Sequence, residues 1–593
     1  MKAWLAMLMI VSLGVAVQAQ PQAPVVWTEV RWMGLPNGRS GKEPVAACGD
    51  TLIFAGGTLD ANGHHPLVAY SHDNGLTHSE WTVLDTQRFS SLEHSMAASP
   101  SCAFYLWYDG LHPVLGARSV NGGMTWTHQV SYDGVIRGAI AQGQDAVLTT
   151  AVRIGGILND RVAISHDCGA TWQVHYIADS LSLVLPSKGV AFTRDHMILV
   201  ATESDWPSWG RIRALRGSRT GPPWSSFEEL PGQPLGYSPI YLSVAGDTSS
   251  EVAVVLHLWR ITGSGPYQAW VSRTGDGGET WDQPNALSSG GTIYPLAYPE
   301  IFCRGKLWGV AWRDIPDVHD PVTMGVYWRF SANHGRSWYP LQHVDTTHYD
   351  VWSTIGQFVG NEVRLYWQDA VDHIGLIGDV RTATGIISAD TLSPVIALAD
   401  SVPSHVPADT MLTFLAEAQD NDSLWQANVV LRQSGTPDSL VIPLASAQNH
   451  DYSATWIVPD DTTDWFYYYR AEDMWENVSY VPPEGPVAPW TFHVGPLSSS
   501  DDRIIHPSSF ILSVYPVPFN STTQIEFTLP STQRVSLRLY DLLGREVAVL
   551  MNEIQTAGKH QMIFDASGLP SGVYLCRLEA GGMAQTRKIV LLK

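Results

Sequence analysis

The stretch Thr274–Trp281 reads TGDGGETW, and its pattern returns at Ser119–Trp126 (SVNGGMTW), Ser165–Trp172 (SHDCGATW) and Ser331–Trp338 (SANHGRSW). Two looser copies fall where the spacing asks for them: Ser71–Trp81 (SHDNGLTHSEW), with its tryptophan displaced, and Ser218–Trp224 (SRTGPPW). The six tryptophans follow one another at about 45 to 57 residues, the period of propeller blades. Each residue type in the pattern has a mechanical use in a tight hairpin loop. An Asp or Asn (Asp73, Asn121, Asp167, Asp276, Asn333) accepts hydrogen bonds from amides further along the turn, glycine supplies positive φ, and Ser and Thr hydroxyls satisfy the loop ends. The indoles of Trp126, Trp172, Trp281 and Trp338 bury their rings beneath it.

These residues resemble the Asp box, S/T-x-D-x-G-x-x-W, of the sialidase and BNR-repeat propeller family. The resemblance implies a β-propeller; it does not imply sialidase activity, because one scaffold carries many functions. Apolar runs at Leu52–Ala55, Phe104–Trp107, Ala146–Thr150, Met197–Val200, Val252–Leu256, Leu307–Trp312 and Val363–Trp367 give seven signals for inner strands. The last unit, roughly 351–384, lacks both a box and a final strand, and Val25–Trp32 reads as an outer strand without a blade. The two are expected to pair and close the ring. Seven blades are favoured, with six, as in catalytic sialidases, as the alternative.

Composition sets the class. The 593 residues are 45% hydrophobic and 16% charged, with 24 Trp and 22 Tyr, which excludes a disordered tail or a helical rod. The 51 glycines and 37 prolines fit turns joining short strands, so the class reads as mostly β, and the expected fold is all-β, a propeller followed by two β-sandwich domains. A formal charge of -22 repels phosphate backbones and anionic membranes, and no nucleic-acid partner is expected. Residues 1–19 read as a cleavable secretory signal, and no later run is long and apolar enough to span a membrane. Five cysteines, widely spaced and odd in number, suggest neither a disulfide framework nor a zinc site; Cys48, Cys102 and Cys303 precede apolar strands and read as small buried hydrophobes.

The propeller is assigned to 20–392. Over 393–495 alternating strands, such as Met411–Ala416 and Trp465–Ala471, suit a β-sandwich. The run from Tyr469 through Ala471 and Asp473 to Asn477 resembles immunoglobulin-like or fibronectin type III-like modules of secreted bacterial proteins, which implies a spacer. Residues 496–510 form a polar linker. From 511 to 593 the chain carries Tyr515-Pro516-Val517-Pro518, then Tyr540, Gly544 and Glu546, then Gly572 and Tyr574, and ends on Lys593. In this order the segment resembles the type A C-terminal sorting domain of the type IX secretion system, with Val517 where that family usually has Asn. The resemblance implies passage across the outer membrane of a Gram-negative bacterium, removal of this domain, and surface attachment or release. The type IX machinery is therefore an expected partner.

Chemistry is expected on the propeller face away from the boxes. If each boxed hairpin joins the third and fourth strands, the second-to-third loops lie on the opposite face, where propellers usually bind ligands. The residues leaving the second strands are Trp107 and Asp109, Arg153, Glu203 and Asp205, Trp259 and Arg260, Trp312, Arg313 and Asp314, and Trp367 and Asp369. Rings beside carboxylates and guanidiniums suit a carbohydrate or polar peptide; the bland alternative makes the tryptophans core residues and the charges solvated. Sialidase chemistry asks for three convergent arginines, a Tyr nucleophile with a Glu helper, and an acid/base Asp. Arg39 does not match the expected N-terminal arginine, and Tyr294 and Tyr298 beside Glu300 serve a strand entry equally well. His64-His65 stands alone in an expected turn, so neither a metal nor a cofactor is expected. The sequence thus points to a secreted, non-enzymatic binding protein for a glycan or extracellular protein ligand, with an extracellular sialidase-like hydrolase as the alternative.

Overall fold

The computed structural model describes residues 25–27, 31–32, 45–48, 51–60, 63–73, 77–86, 93–108, 114–132, 135–154, 157–176, 183–184, 189–203, 211–233, 241–260, 267–288, 299–314, 325–345, 351–370, 378–400, 402–421, 423–446, 450–460, 462–495, 511–515, 519–529, 533–541, 545–556, 558–580 and 583–592. The expected signal (1–19) and linker (496–510) lie outside them. Every regular element described is a β-strand. The chain divides into two compact units, Met1–Asp390 and Thr391–Lys593.

Among the described residues the first unit forms seven antiparallel sheets, six of them built from strands that follow one another in the chain. Their first strands are Val45–Cys48, Glu93–Ala98, Val135–Gln142, Val190–Phe192, Tyr241–Gly246, Glu300–Arg304 and Val351–Val359. Each neighbours the next in this order, and Val351–Val359 neighbours Val45–Cys48, so the sheets stand in a closed circle. This is a β-propeller.

The apolar runs are the second strands, as the ligand-face argument placed them, and not the innermost ones. A second strand is packed on both faces by neighbouring sheets, and therefore reads as a continuous hydrophobic run. Within Ala253–Arg260, for example, Val255 joins a cluster with Ile198 and Leu242, while Leu256 joins one with Trp308 and Val310. The true innermost strands converge on the axis, where room is short, and several are built from small residues, as in Glu93–Ala98 (EHSMAA) and Tyr241–Gly246 (YLSVAG). Their hydrophobic signal is correspondingly weak.

Closure follows the expected route. The seventh sheet borrows its outer strand from the N-terminal region: Val25 pairs with Ile387, Val26 with Ile386 and Trp27 with Gly385, and Arg31 pairs with Thr382. The approach is tight, since a Cβ on Gly385 would lie 2.5 Å from Val25 Cγ1.

In the second unit, Val395–Leu398, Met411–Gln419, Asp451–Ile457 and Ala445–Ser446 form one sheet. Leu424–Gln433, Asp464–Asp473 and Trp490–Val494 form the body of a second. Phe414, Val429, Tyr467, Tyr469 and Phe492 fill the core between them. The run around Asp473 is a turn lock: its carboxylate accepts the amides of Trp475 (2.7 Å) and Asn477 (2.8 Å). A further pair of sheets, three- and four-stranded, encloses Leu512, Phe527, Leu537, Leu539, Cys576 and Ile589.

Candidate functional site

The boxed hairpins join third to fourth strands, as the topology argument requires. In Ser165–Trp172 the Asp167 carboxylate accepts the Thr171 amide (2.8 Å), the Thr171 hydroxyl (2.7 Å) and the Ser165 hydroxyl (2.8 Å), while Ser165 Oγ accepts the Gly169 amide (2.7 Å). Asp73 and Asp276 receive the same pair of bonds from Thr77 and Thr280, and Asn121 and Asn333 reproduce the pattern with their amide groups. The Thr77 hydroxyl and amide hold the Asp73 carboxyl down at about 2, and the Thr171 amide and hydroxyl do the same for Asp167. These carboxylates are occupied in bracing turns.

The boxes also join one sheet to the previous one. Gly169, at φ +76°, leaves its missing Cβ 2.3 Å from Phe104 of the preceding sheet, so a side chain there meets both backbone strain and a ring. Trp126 and Trp172 donate their indole N–H groups to the Gly123 and Gly169 carbonyls at 2.8 and 3.0 Å, and Trp281 and Trp338 pack at the edges of inter-sheet cores. In the loosest copy, Arg219 forms an ion pair with Asp145 of the preceding sheet, which also meets His166 Nδ1 at 2.9 Å.

On the opposite face, Glu203, Arg260 and Asp314 are the last residues of the second strands of three successive sheets, and Asp369 is the last but one of the next. The backbone therefore sets four charged residues at one level. The tryptophans beside them are a correction to the sequence reading. Trp107, Trp312 and Trp367 are at most 1% exposed and Trp259 is 4% exposed, so they pack blade cores and offer no ring face to a ligand. Arg313 is likewise buried, at 4%. Arg153 is, like Asp369, the last residue but one of its second strand, while Asp109 and Asp205 lie outside the described residues, as do Arg39, Tyr294 and Tyr298. His65 is a buried strand residue opposite Thr58 and not part of a turn. Cys102 is fully buried as expected, whereas Cys303 is only half-buried.

The motifs do not report the axis. A cavity of about 740 Å³ is lined by first-strand residues of all seven sheets, from Glu300 to Arg304 along one wall. Its wall includes Ser99, Gly143 and Gly360, which belong to first-to-second strand turns, and Gly246, which ends its first strand, so all four lie towards the boxed face. Gln142 reaches past the short strand Val190–Phe192 to donate to the Gly246 carbonyl at 3.1 Å. Glu300 opens the sixth first strand and thus faces the other end. No sequence signal pointed there, because the lining strands are short and mixed in character.

In the C-terminal sandwich Tyr515 closes the strand Ile511–Tyr515, Gly572 pairs with Leu591, and the Tyr574 hydroxyl donates to the Pro570 carbonyl at 2.8 Å. Pro516, Pro518 and Gly544 lie outside the described residues.

A closed circle of sheets with box-braced hairpins, followed by β-sandwiches, defines an all-β propeller protein. Its C-terminal stretch, residues 513–592, matches the secretion system C-terminal sorting domain family. The protein is accordingly type IX secretion cargo, destined for the cell surface or the extracellular space, and interacts with that machinery. No curated protein sequence matches the chain. Among solved structures, it is similar to the β-propeller domain of the trilobed protease of Pyrococcus furiosus (7% identity, TM-score 0.38, 61% of this chain and 97% of that one). It is also similar to the N11 neuraminidase-like protein of influenza A/flat-faced bat/Peru/033/2010 (12%, 0.35, 63% and 95%) and to Trypanosoma rangeli sialidase (8%, 0.34, 75% and 89%). The fold assignment rests on the strand topology itself.

Proposed function

We propose that the protein is a secreted, non-enzymatic binding protein whose propeller recognises a glycan or an extracellular protein at the face opposite the boxed hairpins. The observation that carries this reading is the common level of Glu203, Arg260, Asp314 and Asp369 at the ends of four successive second strands. Charges of both signs at one rim give directional hydrogen bonds to a polar ligand. The box carboxylates are already committed to their turns and do not compete for this role.

Glu300, at the end of the axial cavity nearer that face, favours a second reading, an extracellular sialidase-like hydrolase in which it serves a nucleophile. A glycan array and a fluorogenic sialoside assay on the same full-length sample separate the two. Binding without turnover is expected; turnover at enzyme-like rates that Glu300→Gln abolishes replaces the first reading with the second.

A further inference from the structure

Between residues 393 and 495 the chain has fourteen carboxylates and only two Lys or Arg residues, Arg432 and Arg470. The fold brings both cations to one place. In Asp464–Asp473 the side chains of Trp465, Tyr467, Tyr469 and Ala471 enter the core, so Phe466, Tyr468, Arg470 and Glu472 stand on the outer face of the sheet. The register sets Arg432 opposite Phe466, Val430 opposite Tyr468, and both Asn428 and Tyr480 opposite Arg470. The outer face therefore carries two guanidiniums and three aromatic rings in a domain that is otherwise acidic.

The two arginines are not equivalent. Arg470 forms an ion pair with Glu472, which also accepts from Gln426 at 2.8 Å. Arg432 has no ion pair among the described residues; its guanidinium lies 5.2 Å from the centroid of the Phe466 ring. A stacked guanidinium keeps its in-plane N–H groups available, and their fork matches a carboxylate. Tyr468 and Tyr480 stand edge to face at 5.9 Å, and Phe466, Tyr468 and Tyr480 each retain some exposure. Along the strands, Arg432 and Arg470 are about 13 Å apart at ordinary strand rise, which suits a chain of sugars more than a single ring.

We infer that this sheet face is a second binding site, for a carboxylate-bearing polysaccharide. Its acid group pairs with Arg432, its ring C–H faces lie against Tyr468 and Tyr480, and its hydroxyls meet Arg470. The occupant is argued from charge complementarity at this face: the Arg432 guanidinium, with no ion pair among the described residues, stands beside aromatic surface, while Glu472 of the same face is held by Arg470 and Gln426. The inference stands independently of the propeller reading.

The test is affinity electrophoresis of the full chain in gels containing polygalacturonate or neutral galactan. Retardation by polygalacturonate alone is expected, weakening with salt. Arg432→Gln should reduce the affinity about tenfold, and Arg432→Lys should fall between, since an ammonium keeps the charge without the fork. Arg545→Gln, at an exposed ion pair of the C-terminal sandwich, should match the wild type. No retardation in polygalacturonate, equal retardation in galactan, or an Arg432→Gln protein that binds as well as wild type would each overturn the inference. Loss of binding in Arg260→Gln with Arg432→Gln unaffected would move the site to the propeller.

Discussion

Trp27 meets Trp328 edge to face, with ring centroids 5.1 Å apart and planes at 85°. The contact links the N-terminal outer strand of the seventh sheet to the third strand of the sixth. Gln342 completes it, accepting the Trp328 indole N–H at 2.9 Å and donating to the Val25 carbonyl at 3.0 Å. The ring is thus closed by strand pairing along one edge and by an aromatic and amide clasp across the next sheet.

Trp27→Ala should cost about 2 kcal/mol, less than a fully buried tryptophan because the ring is half-buried. Gly385→Ala should act on the same strand through the clash with Val25, with a loss of about 1–3 kcal/mol. Urea unfolding followed by tryptophan fluorescence reads both. Wild-type midpoints in the two variants would show that closure lies elsewhere.

Asn333 is fully buried in its box, accepting the Ser337 amide at 3.0 Å and donating to the Ser337 hydroxyl at 2.7 Å. Asn333→Ala strands that amide, and the expected loss is about 1–3 kcal/mol. Asn121→Asp should be nearly neutral by comparison, because Asp167 makes the equivalent bonds as a carboxylate. Thermal melts of the two variants side by side check the contrast.

Acid should act in two stages. Burial pushes His257 down to about 3 from an ordinary 6.5, so the folded imidazole stays neutral while the unfolded chain takes up a proton below pH 6.5; stability falls from there towards pH 3. Asp73 and Asp167 titrate at about 2 when folded against 3.8 when unfolded, so their stabilisation is complete above about pH 4 and is lost as pH falls through 2. His257 Nε2 lies 3.1 Å from Ser272 Oγ, and the double variant His257→Leu/Ser272→Ala removes the pair together. Its denaturant midpoint should vary less than wild type between pH 6.5 and about 3 and equally below that. Parallel curves throughout would refute the assignment.

Trp312→Ala should remove about 3–5 kcal/mol, since the ring is fully buried among Leu256, Leu258 and Trp308. Arg260→Gln, at a strand end, should leave the melting temperature within a degree or two, at about ±0.5 kcal/mol, and weaken ligand capture. If Trp312→Phe were to lose ligand without losing stability, the tryptophans would return to the site.

Much of this was legible in the residues. A hairpin box is local: Asp167, Gly169 and Trp172 bind their own turn, so spacing alone reports it, and the missing fourth strand after Val351 foretold the pairing of Val25 with Ile387. The apolar runs revealed how many strands are buried on both faces, and the C-terminal motifs announced export before any contact was known. Three things depended on tertiary structure. Whether Trp107, Trp259, Trp312 and Trp367 faced solvent or core depended on how closely the next sheet packs, a non-local quantity. The axial cavity exists only because seven short strands converge, and none of them signals it alone. Arg432 and Arg470, 38 positions apart in the chain, share a sheet face because of antiparallel register, which side-chain alternation in either strand does not reveal by itself.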